Sequence, residues 1–162
     1  FMGAGKTTIG KQLSNKLRYN FIDLDQFIEE SNQISISSIF SNKGESYFRD
    51  IESLHLKKVL ELDNTVISLG GGTPCFNNNM GLIKDHSKSI FIDLPTKMLV
   101  SRLKNGRLKR PLIQDKSDDE LFDFINILRS KRLSFYNQAN LIINKREDII
   151  SQILYFINTN KH

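Results

Sequence analysis

Short β-prone segments alternate with longer segments of helical periodicity along this chain of 162 residues. The pattern predicts strands at residues 19–25, 65–69, 89–94 and 139–144, each followed by a helical stretch. Parallel strands joined by right-handed crossovers form a sheet that helices cover on both faces. The alternation therefore predicts an α/β fold in which ligands bind outside the carboxyl ends of the strands.

The length and composition fit one domain spanning residues 1–162. A chain of about 150 residues buries roughly 68–70% of its unfolded surface, which is enough for one compact core. Hydrophobic residues make up 39% and charged residues 25% of the chain. No apolar run approaches the ~20 residues of a membrane span, so we expect no membrane association.

The net charge of +5 is compatible with several anionic partners. The longest basic cluster, residues 102–110, lacks interleaved aromatic side chains on which bases could stack, so nucleic acid is not the expected partner. Cys75 is the single cysteine and is interpreted as a packing residue. The absence of a possible internal disulfide favours a reducing compartment, and we expect a cytoplasmic location.

The opening stretch FMGAGKTTIGK has the composition of a phosphate-binding loop. Apolar residues recur every four positions directly after it, which predicts a helix that begins at Lys6. Lys6 could reach the β- and γ-phosphates of a nucleotide, and the Thr7 hydroxyl could ligate Mg²⁺. The backbone amides that would surround the phosphates belong to Gly3, Ala4, Gly5, Lys6 and Thr7.

Two carboxylates follow at the end of the first predicted strand. Asp23 and Asp25 alternate along that strand, so we expect their side chains to point to the same side. Asp23 is placed to share a magnesium ion with Thr7, because Mg²⁺ takes few carboxylates and keeps most of its waters. Asp25, further along, would orient an acceptor hydroxyl or act as its general base.

The segment GESYFRDIE supports two interpretations. Arg49 lies on the same helical side as Glu45 and Glu52, so the three could form a surface salt-bridge ladder. Alternatively, Phe48 could stack on a small ring whose carboxylate Arg49 binds. The consecutive glycines at residues 70–72 cost backbone entropy without packing a side chain, which indicates close approach of this backbone to a ligand.

Residues 104–117 predict a polar, basic loop that is long enough to move as a lid, and Ser117 is placed to cap the helix after it. Arg110 in this loop and Arg132 on the later helix could neutralise charge on a transferring phosphoryl group. Solvated surface charge is the preferred interpretation of Arg102, Arg107 and Arg129.

Taken together, these segments resemble the shikimate kinase family, in the nucleoside monophosphate kinase branch of P-loop proteins. The resemblance covers almost the whole chain and implies a three-layer fold with a central five-stranded parallel sheet. It also implies ATP-dependent phosphorylation of the 3-hydroxyl of shikimate, with Mg²⁺, in a monomeric enzyme. The segments that carry it are GAGKTTIG, FIDLD, GESYFRDIE, VISLGGGTP, RPLI and KRLSFY.

The resemblance implies roles for individual residues as well. Asp25 and Arg49 would hold the hydroxyls and the carboxylate of shikimate, and the lid residue Arg110 would reach both substrates. Arg102 is the nearest match to an adenine-contacting arginine. Helices within about residues 26–62 would bind the substrate. The remaining implied site residues are Gly71, Gly72 and Arg132, the aromatic Phe40 and Phe48, and Thr8 of the phosphate loop.

One departure from the family pattern concerns the beginning of the chain, where the strand ahead of the phosphate loop is missing. We expect roughly 8–10 upstream residues, enough for one strand and its turn. Three other interpretations stay open. These are another small-metabolite kinase such as a gluconate kinase, a non-catalytic nucleotide-binding module, and an RNA-binding protein whose affinity would fall steeply with salt.

Overall fold

The structure, a computed structural model, describes residues 1–104, 113, 116–144 and 147–160. Helices and strands alternate along it, which confirms the α/β prediction. The helices are α1 (Lys6–Leu17), α2 (Leu24–Asn32), α3 (Ile36–Leu60), α4 (Asn79–His86), α5 (Thr96–Lys104), α6 (Asp118–Tyr136) and α7 (Ile149–Thr159). The strands are β1 (Asn20–Asp23), β2 (Thr65–Ser68), β3 (Ile90–Ile92) and β4 (Leu141–Ile143).

The strands pair in parallel, as the alternation predicts, but in two separate sheets. Strand β1 pairs with β2, with Phe21 opposite Val66, and β3 pairs with β4, with Phe91 opposite Ile142. A cavity of about 560 Å³, lined in large part by apolar side chains of α1, β2 and β3, lies between the sheets. The five-stranded sheet is therefore not confirmed, since β2 and β3 share no ladder within the described part of the chain.

Helix α1 forms where the apolar periodicity predicts it. Leu13 is buried and packs with Ile143 and Ile153, so this helix joins the end of the second sheet to α7. Gly10 lies on the face that meets β1, where a Cβ atom would lie 2.6 Å from the Phe21 ring. The lack of a side chain at Gly10 therefore sets how closely α1 packs on β1.

The prediction that the first strand continues to residue 25 is wrong. Strand β1 ends at Asp23, whose backbone is still extended, and helix α2 begins at Leu24. Leu24 and Ile28 are both fully buried and lie one turn apart on the same face of this helix. Asp25 thus belongs to the first turn of α2, and the two carboxylates do not share a strand face.

Helix α3 is interrupted at Gly44. This residue has φ 80° and ψ 174° inside the helix, a conformation that only glycine adopts readily. Its kink divides α3 into a short first part and a longer second part, which carries Arg49 and Glu52.

Helix α6 begins as predicted, with Ser117 as its cap. The Ser117 hydroxyl accepts a hydrogen bond from the Glu120 amide, and the Glu120 carboxylate accepts one from the Ser117 amide. Helix α4 and a short 3-10 helix at Thr73–Cys75 were not predicted. No helix in the described ranges is long and apolar enough to cross a membrane.

Substituting Gly10 by alanine tests the packing of α1 on β1. The change gains about 1 kcal/mol of helix propensity but forces a methyl group into the Phe21 ring, and overpacking costs about 1–3 kcal/mol. We expect a net loss of up to about 2 kcal/mol in the free energy of unfolding, measured by urea denaturation. Asn15→Ala, at an exposed site on the same helix, is the control. Equal or greater stability of Gly10→Ala would contradict this close packing.

Candidate active site

The glycine-rich segment forms a loop directly ahead of α1. Gly3 and Gly5 have φ 76° and 88°, in the left-handed region where residues with side chains are strained. The loop delivers its amides to the N-terminus of α1, where the helix dipole and unpaired N–H groups favour an anion. The prediction of a helix beginning at Lys6 is confirmed.

The lysine and the hydroxyl of the predicted phosphate site lie beside this loop. The Lys6 Nζ atom donates to the Phe1 carbonyl oxygen over 2.9 Å, which folds the side chain back along the loop. The Thr7 hydroxyl donates to Asp23 Oδ2 over 2.8 Å. The strand end and the helix start therefore meet at one hydroxyl and one carboxylate, as the sequence predicts.

This pair of oxygen atoms suits a magnesium ion. Mg²⁺ usually binds through one or two protein oxygens and completes its shell with phosphates and water. Within the described residues no group of three or more His, Cys, Asp or Glu side chains could hold a metal ion by itself. A metal here would therefore depend on nucleotide phosphates for much of its coordination.

Asp25 reaches the same region from the first turn of α2. Burial, together with the charges of Asp23 and Glu52, raises the pKa of its carboxyl from 3.8 to about 6, although the charge of Lys6 opposes this shift. A carboxylate with this pKa is ionised at neutral pH and a stronger base than an ordinary aspartate. Position and basicity together suit a group that orients or deprotonates a hydroxyl.

Close packing explains the glycines at residues 70–72. A Cβ atom at Gly70 would lie 2.7 Å from Asp25 Oδ1, and one at Gly72 would lie 2.7 Å from Arg49 Nη1. Gly72 has φ −93°, and the other two also lie outside the left-handed region, so positive φ is not the reason. Two charged side chains thus approach this backbone, where the sequence predicted the approach of a ligand.

Arg49 is held from both sides along α3. Its guanidinium pairs with Glu45 over 2.9 Å and with Glu52 over 2.8 Å. Glu52 is only 1% exposed and accepts a second hydrogen bond from the Thr73 hydroxyl over 2.6 Å. The surface-ladder interpretation is therefore wrong for Glu52, which is a buried charge that links α3 to the segment after the glycines.

Aromatic rings pack around the same guanidinium. The Arg49 Cζ atom lies 4.1 Å from the ring centroid of Phe76 and 5.1 Å from that of Phe48. Phe48 in turn packs against Phe40, with centroids 4.7 Å apart. The structure thus places Phe48 beside Arg49, and the stacking of Phe48 on a ligand ring stays a prediction. Phe76 was missed because its turn carries no periodic signal.

Two arginines that the sequence assigned to the solvent have specific partners instead. The Arg102 guanidinium donates to the carbonyl oxygens of Gly3 and Ala4, each over 3.1 Å. Arg129 forms an ion pair with Asp93 at 2.5 Å. The surface-charge interpretation is wrong for both, and Arg102 supports the phosphate loop from α5. The predicted site residue Arg110, and Arg107, lie outside the described residues.

One cavity of about 940 Å³ collects most of the predicted chemistry. It brings the phosphate loop, the two aspartates and part of the glycine segment together, whereas Arg49 and Arg132 contact the glycine segment without lining the cavity. The residues from Asp148 to Ser151, at the start of α7, also line it and were not predicted. The other lining residues singled out in the sequence are Gly3, Ala4, Gly5, Lys6, Thr7, Thr8, Asp23, Asp25, Gly70, Gly71 and Arg102.

A phosphate loop at a helix N-terminus, followed by lysine and threonine and facing an acidic strand end, defines a P-loop phosphotransferase of the α/β class. Comparison with known proteins narrows this class. The model of the family described as shikimate kinase matches residues 2–158. The chain belongs to the shikimate kinase family.

Individual relatives agree with this assignment. The shikimate kinase of Bacteroides fragilis is 46% identical over 142 residues, which cover 88% of this chain and 79% of that protein. The structure of the Bacteroides thetaiotaomicron shikimate kinase has a TM-score of 0.92 at 40% identity and covers 98% of this chain and 94% of that chain. A structure of the Acinetobacter baumannii enzyme in complex with shikimate has a TM-score of 0.86 at 27% identity and covers 99% and 90%.

Asp25→Asn is expected to stabilise the folded protein. Ionising a carboxyl whose pKa is raised from 3.8 to about 6 costs the folded state roughly 2–3 kcal/mol above pH 6. The folded state binds more protons than the unfolded state between these values, so the advantage of the variant should decline as pH falls from 6 to below 4. Urea denaturation at pH 8, 5 and 3.5 in the presence of a chelator measures it. An equal advantage at all three pH values would contradict this origin.

Proposed function

We propose that this protein phosphorylates the 3-hydroxyl of shikimate with ATP, giving shikimate 3-phosphate and ADP. The observation that carries the proposal is that the Asp25 carboxylate shares one cavity with the phosphate loop and lies against Gly70 of the glycine segment. The cavity thus has a nucleotide side at the phosphate loop and an acceptor side at the glycine segment. The two sides meet at the Asp25 carboxylate. The relatives named as shikimate kinases, one of them in complex with shikimate, support the choice of acceptor.

The nucleotide side would bind the phosphates of ATP. The loop lies at the N-terminus of α1, where backbone amides can bind phosphate oxygens. Lys6 would turn from the Phe1 carbonyl to the β- and γ-phosphates. Thr7 and Asp23 would hold Mg²⁺, which when bound neutralises charge on the phosphates. Arg102 would keep the loop in place through the carbonyls of Gly3 and Ala4.

The acceptor side would bind the ring, the hydroxyls and the carboxylate of shikimate. Arg49 and Arg132 both approach the glycine segment, so their guanidinium groups can bind one carboxylate there. Glu52 and Glu45 fix Arg49 in place, and the other roles on this side fall to Gly71, Gly72, Phe40 and Phe48. Arg110 is proposed to reach both substrates on the evidence of the RPLI motif alone.

In the chemical step, the 3-hydroxyl oxygen forms a bond to the γ-phosphorus while the bond from that phosphorus to the β–γ bridging oxygen breaks. ADP leaves with the electron pair, and Asp25 accepts the hydroxyl proton. Lys6 stabilises the negative charge that spreads over the transferring group and the leaving oxygen. The raised pKa of Asp25 makes it a better proton acceptor than an ordinary aspartate.

An ADP-release assay tests the proposal. Measured with shikimate, with gluconate and without an acceptor, release should depend on shikimate, and Asp25→Asn should lower it by about 10²–10⁴ because a general base is lost. Asp63→Asn, at an exposed position, is the matched control and should keep its activity. Equal release without an acceptor, or release with gluconate alone, would overturn the proposed acceptor.

Gly72→Ala separates acceptor binding from nucleotide binding. The new methyl group would overlap the Arg49 guanidinium, which lies 2.7 Å from the Cβ position, and displace it. We expect KM for shikimate to rise by about tenfold, the loss of one charge-assisted contact, with KM for ATP almost unchanged. Gly81→Ala in α4, where the nearest atoms belong to the Asn78 side chain, is the control. An unchanged KM for shikimate would place Arg49 outside the acceptor site, and equal rises in both KM values would contradict the separation of the two sites.

A further inference from the structure

Tyr136, the last residue of α6, carries a hydroxyl group that the chemistry described so far does not use. The residue is buried at 5% exposure. Its ring lies edge-on to Phe1, with centroids 6.4 Å apart, and tilted on Phe91 at 4.9 Å. The ring thus belongs to the apolar core, whereas the hydroxyl donates to the Gly71 carbonyl oxygen over 2.5 Å. The packing of the buried ring therefore orients the Tyr136 hydroxyl toward the glycine segment.

Arg132 lies one helical turn before Tyr136, so the two side chains share a face of α6. The positive charge of Arg132 favours the ionised form of the Tyr136 hydroxyl and so lowers its pKa, against the larger effect of burial. The same guanidinium lies 3.5 Å from the position of a Cβ atom at Gly71. The Tyr136 hydroxyl and the Arg132 guanidinium therefore both lie at Gly71.

The hydroxyl keeps its proton under ordinary conditions. Burial raises the pKa of Tyr136 to about 12, against the opposing charge of Arg132. It therefore remains a donor to Gly71 at any pH at which the protein is assayed. A phenylalanine at this position would keep the ring contacts with Phe1 and Phe91 and remove the hydrogen bond to Gly71.

We infer that Tyr136 is a positioning residue, whose hydroxyl holds the Gly71 backbone beside the Arg132 guanidinium so that both face the carboxylate of the acceptor. The inference rests on the proposed function, because it assigns the acceptor carboxylate to Arg132. The glycine segment is then fixed at neighbouring points, by Tyr136 at Gly71 and by the charged Asp25 and Arg49 at Gly70 and Gly72.

The test compares Tyr136→Phe with the parent protein and with Tyr155→Phe, the same change at a side chain that is 73% exposed. Removing the buried hydrogen bond to Gly71 predicts a rise of about three- to tenfold in KM for shikimate. KM for ATP should stay within about twofold of the parent value, since the substitution keeps the ring contact with Phe1 ahead of the phosphate loop. Circular dichroism and the urea midpoint establish that the variant is folded.

A second acceptor distinguishes positioning from a general loss of structure. With a shikimate analogue in which a hydroxymethyl group replaces the carboxylate, Tyr136→Phe and the parent protein should have the same KM, because no carboxylate remains for Arg132 to bind. In a double-mutant cycle, the variant that combines Tyr136→Phe with Arg132→Lys should raise KM for shikimate by less than the product of the two single rises. This is the result expected for residues that act through one another.

Several results would overturn the inference. A KM for shikimate unchanged in Tyr136→Phe would do so, as would equal rises in both KM values, or an equal rise with the uncharged analogue. In those cases shikimate-dependent ADP release by the parent protein would leave the proposed function intact. Failure of the parent protein to use shikimate would overturn the proposed function and this inference with it.

Discussion

The arrangement of this site depends on the glycine segment at residues 70–72. Because this segment has no side chains, charged groups from different helices can approach its backbone. Asp25 comes from α2, Arg49 from α3 and Arg132 from α6, and each lies within 2.7–3.5 Å of a Cβ position at residues 70–72. A side chain at Gly70 or Gly72 would displace one of these groups, whereas a Cβ atom at Gly71 would only touch Arg132. The entropy that the glycines cost in folding is offset by a geometry in which a base and two cations converge at the end of β2.

The charged side chains in this region are not equally neutralised by their neighbours. The differences match the roles proposed for Arg49 and Asp25. Arg49 and Glu52 neutralise each other in a nearly dry environment, and Thr73 satisfies the second Glu52 oxygen. Breaking such a buried pair is costly, so it holds Arg49 in one conformation. Asp25 has instead three carboxylates among its neighbours, Asp23, Glu52 and Glu29, and burial also opposes its charge. The folded state tolerates an unfavourable charge where a base is required, a common exchange of stability for activity.

Much of the phosphate side could be predicted because its determinants are local. The loop, the helix that begins at Lys6, and the meeting of Thr7 with Asp23 follow from glycine conformation, apolar periodicity and the rule that ligands bind at strand ends. The position of Asp25 could not be predicted, because burial of Leu24 and Ile28 ends the strand earlier than its β-prone composition indicates. Arg102 was misassigned for a similar reason, since its partner Gly3 lies 99 residues away in the chain.

The sequence by itself determined the α/β class, the phosphate loop, the caps of the helices and the kink at Gly44, since each depends on the conformational preferences of a few consecutive residues. Only the tertiary structure decided which charges are buried, which arginines support the loop, and how Tyr136 reaches Gly71 across 65 residues. These contacts form when distant elements bury their apolar faces together. Their geometry depends on how the whole core packs, and no local pattern in the chain encodes it.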